Sequence, residues 1–186
     1  MRAFIAIELP EFVHDALHDL QVRLRESGVR ASWVKQGNIH LTLRFLGEID
    51  DRQVALIIDR LERGYAGVEA FRLRAEGAGA FPNARKPSVL WAGCGPLEGP
   101  LAAVQEKAER AARAAQLKPE TRKFRPHLTI ARVRDWRRAG AVAEALERAK
   151  NFDAGEFSAG GVALFSSKLT PTGAIYERLR EFRFSC

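Results

Sequence analysis

Two stretches of this chain, His40-Leu41-Thr42-Leu43 and His127-Leu128-Thr129-Ile130, are nearly the same four residues set 87 positions apart (127 − 40). The chain holds four histidines and five threonines. Random placement of so few residues gives roughly 0.1 His-x-Thr triplets, so two of them call for a reason. On a β-strand, residues i and i+2 point to one side. Each unit therefore reads as a strand that shows an imidazole and a hydroxyl on one face and buries aliphatic side chains on the other. Both copies are followed within about ten residues by a helical pattern. A chain with two such strands is expected to fold as two similar lobes whose histidine faces look across a shared groove.

The remaining pattern fits that frame. Ala3 to Ile7 reads as a buried strand. Pro10 then opens a helix with Val13, Ala16, Leu17, Leu20 and Leu24 on its inner face and Gly28 as its stop. Ala31 to Val34 is a short strand, and Ile39 to Leu46 is the first histidine strand. Asp50 or Asp51 caps a second helix, lined by Val54, Ile57, Ile58 and Leu61. Phe71 to Ala75 is a half-buried strand, followed by a loop from Gly77 through Phe81 to Pro87. Ser88 to Ala92 is a strand. A third helix turns Leu101, Val104, Ala108, Ala111 and Ala115 inward. The second histidine strand runs from His127 to about Val133. A fourth helix, from near Asp135 to Lys150, uses Ala139, Val142, Leu146 and Ala149. Strands near Gly161–Phe165 and Ala174–Leu179 close the chain around a turn at Thr170 to Gly173. Eight strands and four helices in mixed order imply an α+β class with antiparallel sheets. No linker rich in Pro, Gly or Ser divides residues 1–186, so a single domain is expected.

Charge and cysteine content narrow the function. A formal net charge of +7 and a pI near 9.9 favour an anionic partner, nucleic acid first. A solvated arginine-rich surface is the plainer account of the same numbers. Cys94 and Cys186 form no C-x-x-C pair or disulfide framework, which fits a cytoplasmic protein. No targeting segment is visible, and no apolar run approaches the ~18–20 residues of a membrane span.

Two histidines on opposite walls of a groove suit displacement at phosphorus. Histidine gives and takes protons near neutrality. One ring, neutral, removes a proton from the nucleophile, and the other, charged, protonates the leaving oxygen. Thr42 and Thr129 supply hydroxyl donors to the non-bridging oxygens. A strained 2′,3′-cyclic phosphate fits such a site, with no metal or cofactor required. The spacing leaves open which histidine is the acid.

The doubled H-x-T-x pattern resembles the 2H phosphoesterases, and within them the RNA 2′,3′-cyclic phosphodiesterases, also described as 2′–5′ RNA ligase-like proteins. The resemblance rests on Phe4 to Ile7, Trp33 to Lys35, His40 to Gly47, Val89 to Gly93, Pro126 to Arg132 and Leu164 to Tyr176. It implies a bilobal fold, two antiparallel sheets flanking a central groove with helices outside. It implies hydrolysis of an RNA-terminal 2′,3′-cyclic phosphate to a 2′-phosphomonoester, with His40 as proton donor to O3′ and His127 as proton acceptor from water. It also implies Arg132 as a substrate contact. Strand parity opposes this, because residues 127, 129 and 131 share a face, so a bulge or the strand end must redirect Arg132. Ligation of RNA ends by the reverse reaction, and a non-catalytic RNA- or nucleotide-binding module, are the alternative functions.

Six further residues are candidates or rivals. Arg44 shares the parity of His40 and Thr42 and is expected to border the groove as a phosphate or carboxylate partner, or else to be a salt-bridged rim residue. Phe81 is a base-stacking candidate in its loop, whereas Trp91 is expected in the core. Lys168, in the closing motif, is a possible groove residue. His14 and His18 have the i, i+4 spacing of a zinc pair but read as an exposed helix face. The basic segment Arg122 to Arg125 leads into His127 and would attract an RNA backbone. RNA with a cyclic-phosphate end is thus the expected partner. No membrane is expected, and nothing demands more than a monomer.

Overall fold

A computed structural model of the chain describes residues 1–135, 139–171 and 173–185. Cys186 and Thr172 lie outside them. The described residues form strands β1 (Arg2–Ile7), β2 (Arg30–Trp33), β3 (Leu41–Glu48), β4 (Phe71–Phe81), β5 (Val89–Gly95), β6 (His127–Asp135), β7 (Asp153–Ala159), β8 (Gly161–Thr170) and β9 (Gly173–Arg183). The helices are α1 (Glu11–Arg25), α2 (Asp51–Tyr65), α3 (Pro100–Ala114) and α4 (Ala139–Arg148). The residues between Asp135 and the start of α4, where the sequence pattern sets the helix onset, are outside the description.

The strands pair in the order β7-β4-β5-β6-β3-β1-β8-β9, and β2 joins β6. Every ladder between them is antiparallel. The centre of this curled sheet is thin. β3 and β6 share one residue pair, Leu41 opposite Leu128. Beyond that pair β2 takes the edge of β6, with Trp33 opposite Ala131 and Ser32 opposite Arg132. A wedge of chain thus holds β3 and β6 apart. The two sheets expected from the sequence are two arms, β1-β3-β8-β9 and β4-β5-β6-β7 with β2, joined at the centre by that one pair of β3 and β6, while Glu69, ahead of β4, also bridges Ser185, after β9.

Helices α2 and α3 cover the first arm, against β9 and β3, while α1 and α4 cover the second, where α1 meets β6 and β7. Two of these helices cross over. α1 follows β1 of the first arm yet lies on the second, and α3 follows β5 of the second arm yet lies on the first. Their inner faces are those of the sequence pattern: Val13, Leu17, Leu20 and Leu24 on α1, and Leu101, Val104, Ala108, Ala111 and Ala115 along α3, are buried. Asp50 closes a capping box on α2, accepting from the Gln53 amide while the Gln53 side chain accepts from the Asp50 amide. β1 is buried from Ala3 to Ile7, as its unbroken apolar run requires.

Three elements differ from the sequence pattern. β4 does not stop at Ala75 but runs to Phe81. Gly77 (φ +71°) sits at a register shift between Glu76 and Ala78, so the strand passes it as a bulge instead of ending there. β7 has little apolar alternation, and its partner is β4, to which Arg72–Glu156 and Arg74–Asp153 ion pairs also tie it. β3 begins at Leu41 because a 3₁₀ turn, Gln36–Asn38, occupies the chain just before it.

Candidate active site

The bridge between β3 and β6 sets the site. Leu41 and Leu128 are fully buried and point to the helices. Their neighbours point the other way. Carried one residue in each direction, the register puts His40 across from Thr129 and Thr42 across from His127. The four side chains form the corners of a square, with the histidines on one diagonal and the threonines on the other. Diagonal neighbours in an antiparallel ladder stand roughly 7–8 Å apart at the backbone, a span that two imidazoles can close around one phosphoryl group.

Both rings are held in the same way. His40 Nδ1 lies 2.8 Å from the Asn38 carbonyl, and His127 Nδ1 lies 2.6 Å from the Arg125 carbonyl, each two residues upstream. A carbonyl only accepts, so Nδ1 carries the hydrogen and donates it. In the neutral ring the lone pair is then on Nε2. Among the described residues no partner is recorded for either Nε2, nor for the hydroxyl of Thr42 or Thr129. The reactive atoms of all four residues are available to a ligand.

The rings differ in their surroundings. His40 stacks on Phe4 (centroids 4.6 Å apart, planes 19° apart) and meets the edge of Tyr176 at 5.4 Å. Phe165 lies behind Phe4 at 5.2 Å. Burial in this aromatic wall pushes the His40 pKa down to about 4, against the partial opposition of the Asn38 carbonyl. His127 meets the edge of Phe81 at 5.0 Å. Burial lowers its pKa as well, the Arg125 carbonyl opposes this, and the charge of Arg132 lowers it further. Both imidazoles are therefore neutral in the free protein at pH 7.

One extra residue in each histidine strand decides which side chains share the groove. In β6, Leu90 faces Ala131 but Trp91 faces Thr129, so Ile130 is inserted as a bulge. Parity flips after it, and Arg132 comes round to the face of His127 and Thr129. The bulge is braced from α1: buried Gln21 donates to the carbonyls of Ile130 and Val34, both at 2.8 Å. In β3, Ile5 faces Arg44 but Ala6 faces Thr42, so Leu43 is inserted in the same way. Here the flip carries Arg44 out of the groove. It is 9% exposed and pairs with Glu109 of α3 at 2.5 Å, and it also donates to the carbonyls of Phe45 and Lys118. The expectation that Arg44 borders the groove is thus corrected; its rival reading as a salt-bridged rim residue holds for the ion pair but not for the rim, because Arg44 is buried. Phe45 takes the place in the first arm that Arg132 takes in the second.

The other candidates fall on both sides. Lys168 is exposed, but Phe165 and Ser167 face Phe4 and Arg2 across the ladder, which turns Lys168 to the opposite side of β8. It is not a groove residue. Phe81 belongs to β4 rather than to a loop, and it packs between His127 and Trp91. Trp91 lies opposite Thr129, on the groove face of β5, over Gly79, where a Cβ would collide with the indole. His14 lines a 280 Å³ pocket with His40. The residues missed by the sequence reading are Phe4 and Tyr176, which wall His40. Their aromatic types in central strands were the available signal, but nothing local tied them to a histidine 36 or 136 positions away (40 − 4, 176 − 40). Tyr176 also feels the charges of Arg132 and Arg2, so it stands near both arms. A cavity of about 630 Å³ adjoins this centre. Phe4, Phe45 and Tyr176 line it from the first arm, and Ser32, Val34 and Arg132 from the second.

Two paired His-Thr units meeting at one bridge of a curled antiparallel sheet define a phosphoesterase of the two-histidine class. The chain belongs to the LigT-like phosphoesterase family, whose family model matches residues 7–91 and 95–176. An RNA 2′,3′-cyclic phosphodiesterase of Methanothermobacter thermautotrophicus is 31% identical over 185 residues, 98% of each chain. A protein of the same name from Aeropyrum pernix is 34% identical over 165 residues, covering 87% of this chain and 93% of its own. A crystal structure from Thermus thermophilus superposes with a TM-score of 0.82 at 30% identity, covering 99% of this chain and 98% of the other. Among the described residues no helix is long and apolar enough to cross a membrane.

Proposed function

We propose that this chain hydrolyses the 2′,3′-cyclic phosphate at the end of an RNA to a 2′-phosphomonoester, working as one bilobal unit. The observation that carries the proposal is the bridge register, which sets each histidine across from the other unit's threonine. The name shared by the curated relatives supports the same reaction. In it, His127 Nε2 takes a proton from water as the water oxygen bonds to phosphorus. The P–O3′ bond breaks on the far side, and His40 Nε2 gives its proton to O3′. Thr42, Thr129 and Arg132 donate to the non-bridging oxygens, whose charge they stabilise. Exchange with solvent then returns His127 to the neutral form, and His40 takes up a proton again as the next phosphate anion binds. The resemblance to the RNA 2′,3′-cyclic phosphodiesterases orders the two roles. Burial is the main cause that lowers both rings, with the Arg132 charge lowering His127 further, and a bound phosphate anion offsets the burial penalty of the ring that carries the proton. The test is incubation with an oligonucleotide bearing a 2′,3′-cyclic phosphate. A 2′-phosphate product is expected, and a 3′-phosphate product or no turnover rejects the proposal.

The lowered pKa values carry a pH prediction. The profile of kcat/KM reports the free protein. Both histidines titrate below 6.5 there, so kcat/KM is expected to peak below pH 6.5 and to fall as pH rises past it, because the acid loses its proton. The profile of kcat reports the complex, where the phosphate raises the acid's pKa, so its optimum should lie at higher pH. Parallel pH profiles of the two constants check this. A kcat/KM maximum at or above about pH 7 contradicts it.

A further inference from the structure

The 630 Å³ cavity beside the histidine square is larger than the reaction needs. Among the described residues its charged lining residues are Arg2, Lys35, Arg132 and Arg134, with no aspartate or glutamate. Among the described residues none of the four cations is in an ion pair. Arg134 donates to Ser32 Oγ at 2.7 Å, and Glu48, across the ladder from Arg2, lies 3.5 Å from the N-terminal amine instead. A nucleoside 2′,3′-cyclic phosphate carries one negative charge, which the histidines and Arg132 already meet. Three cations are left over, and a polyanion is the ligand that matches them.

The cavity also offers a flat apolar surface. Phe45 is 54% exposed, which for a phenylalanine beside a cationic cleft is an unpartnered face. It stands where the bulge places it, across the ladder from Phe4 (centroids 6.3 Å apart) and at the first-arm counterpart of Arg132. The other large ring here, Trp33, already has one face covered by the Arg25 guanidinium at 5.0 Å. Exposed aromatic rings set among cations form the usual arrangement for single-stranded nucleic acid, with rings taking the bases and cations the backbone.

We infer that this cavity is a strand site for the nucleotides that precede the cyclic phosphate, with Phe45 stacking a base and Arg2, Lys35 and Arg134 meeting the backbone. The inference rests on the proposed reaction and adds a substrate preference to it: an oligonucleotide end over a cyclic mononucleotide. The repeated bulge thus has two products, a phosphate-binding cation in one arm and a base-stacking ring in the other.

The experiment compares kcat/KM for a cyclic-phosphate tetranucleotide and for a nucleoside 2′,3′-cyclic phosphate, across salt concentrations. The wild-type chain should prefer the tetranucleotide by about tenfold or more at low salt, and the preference should shrink as salt rises. Phe45→Ala and, independently, Arg134→Gln should raise KM for the tetranucleotide several-fold. Both variants should leave its kcat, and both constants for the mononucleotide, unchanged. Equal kcat/KM for the two substrates, or variants that impair both alike, overturn the strand site alone, because mononucleotide turnover leaves the proposed reaction standing. Turnover of neither substrate overturns both.

Discussion

His40→Ala and His127→Ala are each expected to lower kcat by at least about 10²-fold, the lower end of what a positioned acid or base contributes. Both rings are neutral in the free protein, so neither deletion strands a buried charge, and circular dichroism and thermal melting should report a folded chain. The double variant should be little worse than the weaker single one, because two groups that act on one transition state do not contribute independently. The two single variants differ in what rescues them. A phosphodiester with a p-nitrophenolate leaving group needs no proton on departure. It should restore turnover to the variant that lacks the acid, His40→Ala, and leave His127→Ala inactive. Rescue of His127→Ala instead would reverse the roles. Retention of full activity in both variants would remove the histidines from the reaction.

The sequence made the central strands legible because their chemistry and their periodicity agree. His-x-Thr on a two-residue repeat, with leucine between, has few other meanings, and the apolar faces of α1 and α3 were equally plain. What parity alone could not deliver is the fate of the residues after the threonines. Whether a strand carries a bulge depends on what faces it across the ladder, Leu90 and Trp91 in one arm and Ile5 and Ala6 in the other. Those partners lie far away in sequence. Arg132 was recoverable only because the resemblance named it against the parity rule, and no such signal existed for Arg44. β7 escaped for a different reason. An edge strand has one ladder and a wet face, so its sequence need not alternate. Lys168 shows the limit of motif neighbourhood: it sits inside a stretch that resembles the family, yet on the wrong side of its strand.

The two bulges make a paired prediction, in which two arginines that parity ranks one way behave in the other. Arg132→Met should lower kcat/KM by about 10²-fold, the scale of losing one donor to a charge that develops in the transition state. It is exposed and has no recorded ion pair among the described residues, so stability should change by less than about 0.5 kcal/mol. Arg44→Met should do the opposite. Removing it leaves the Glu109 carboxylate, 19% exposed, without its partner beneath the sheet. Breaking one side of a buried pair costs about 3 kcal/mol, and the loss should appear in the denaturation midpoint. Assayed well below its melting temperature, the Arg44→Met chain should keep kcat within a few-fold of wild type. Adding Glu109→Leu should recover most of the lost stability, because the stranded charge is then gone. Arg44→Met with full stability and collapsed turnover would mean that β3 runs through without its extra residue. His40, Thr42 and Arg44 would then share the groove as simple alternation has them, and Phe45 could not reach the base it is assigned.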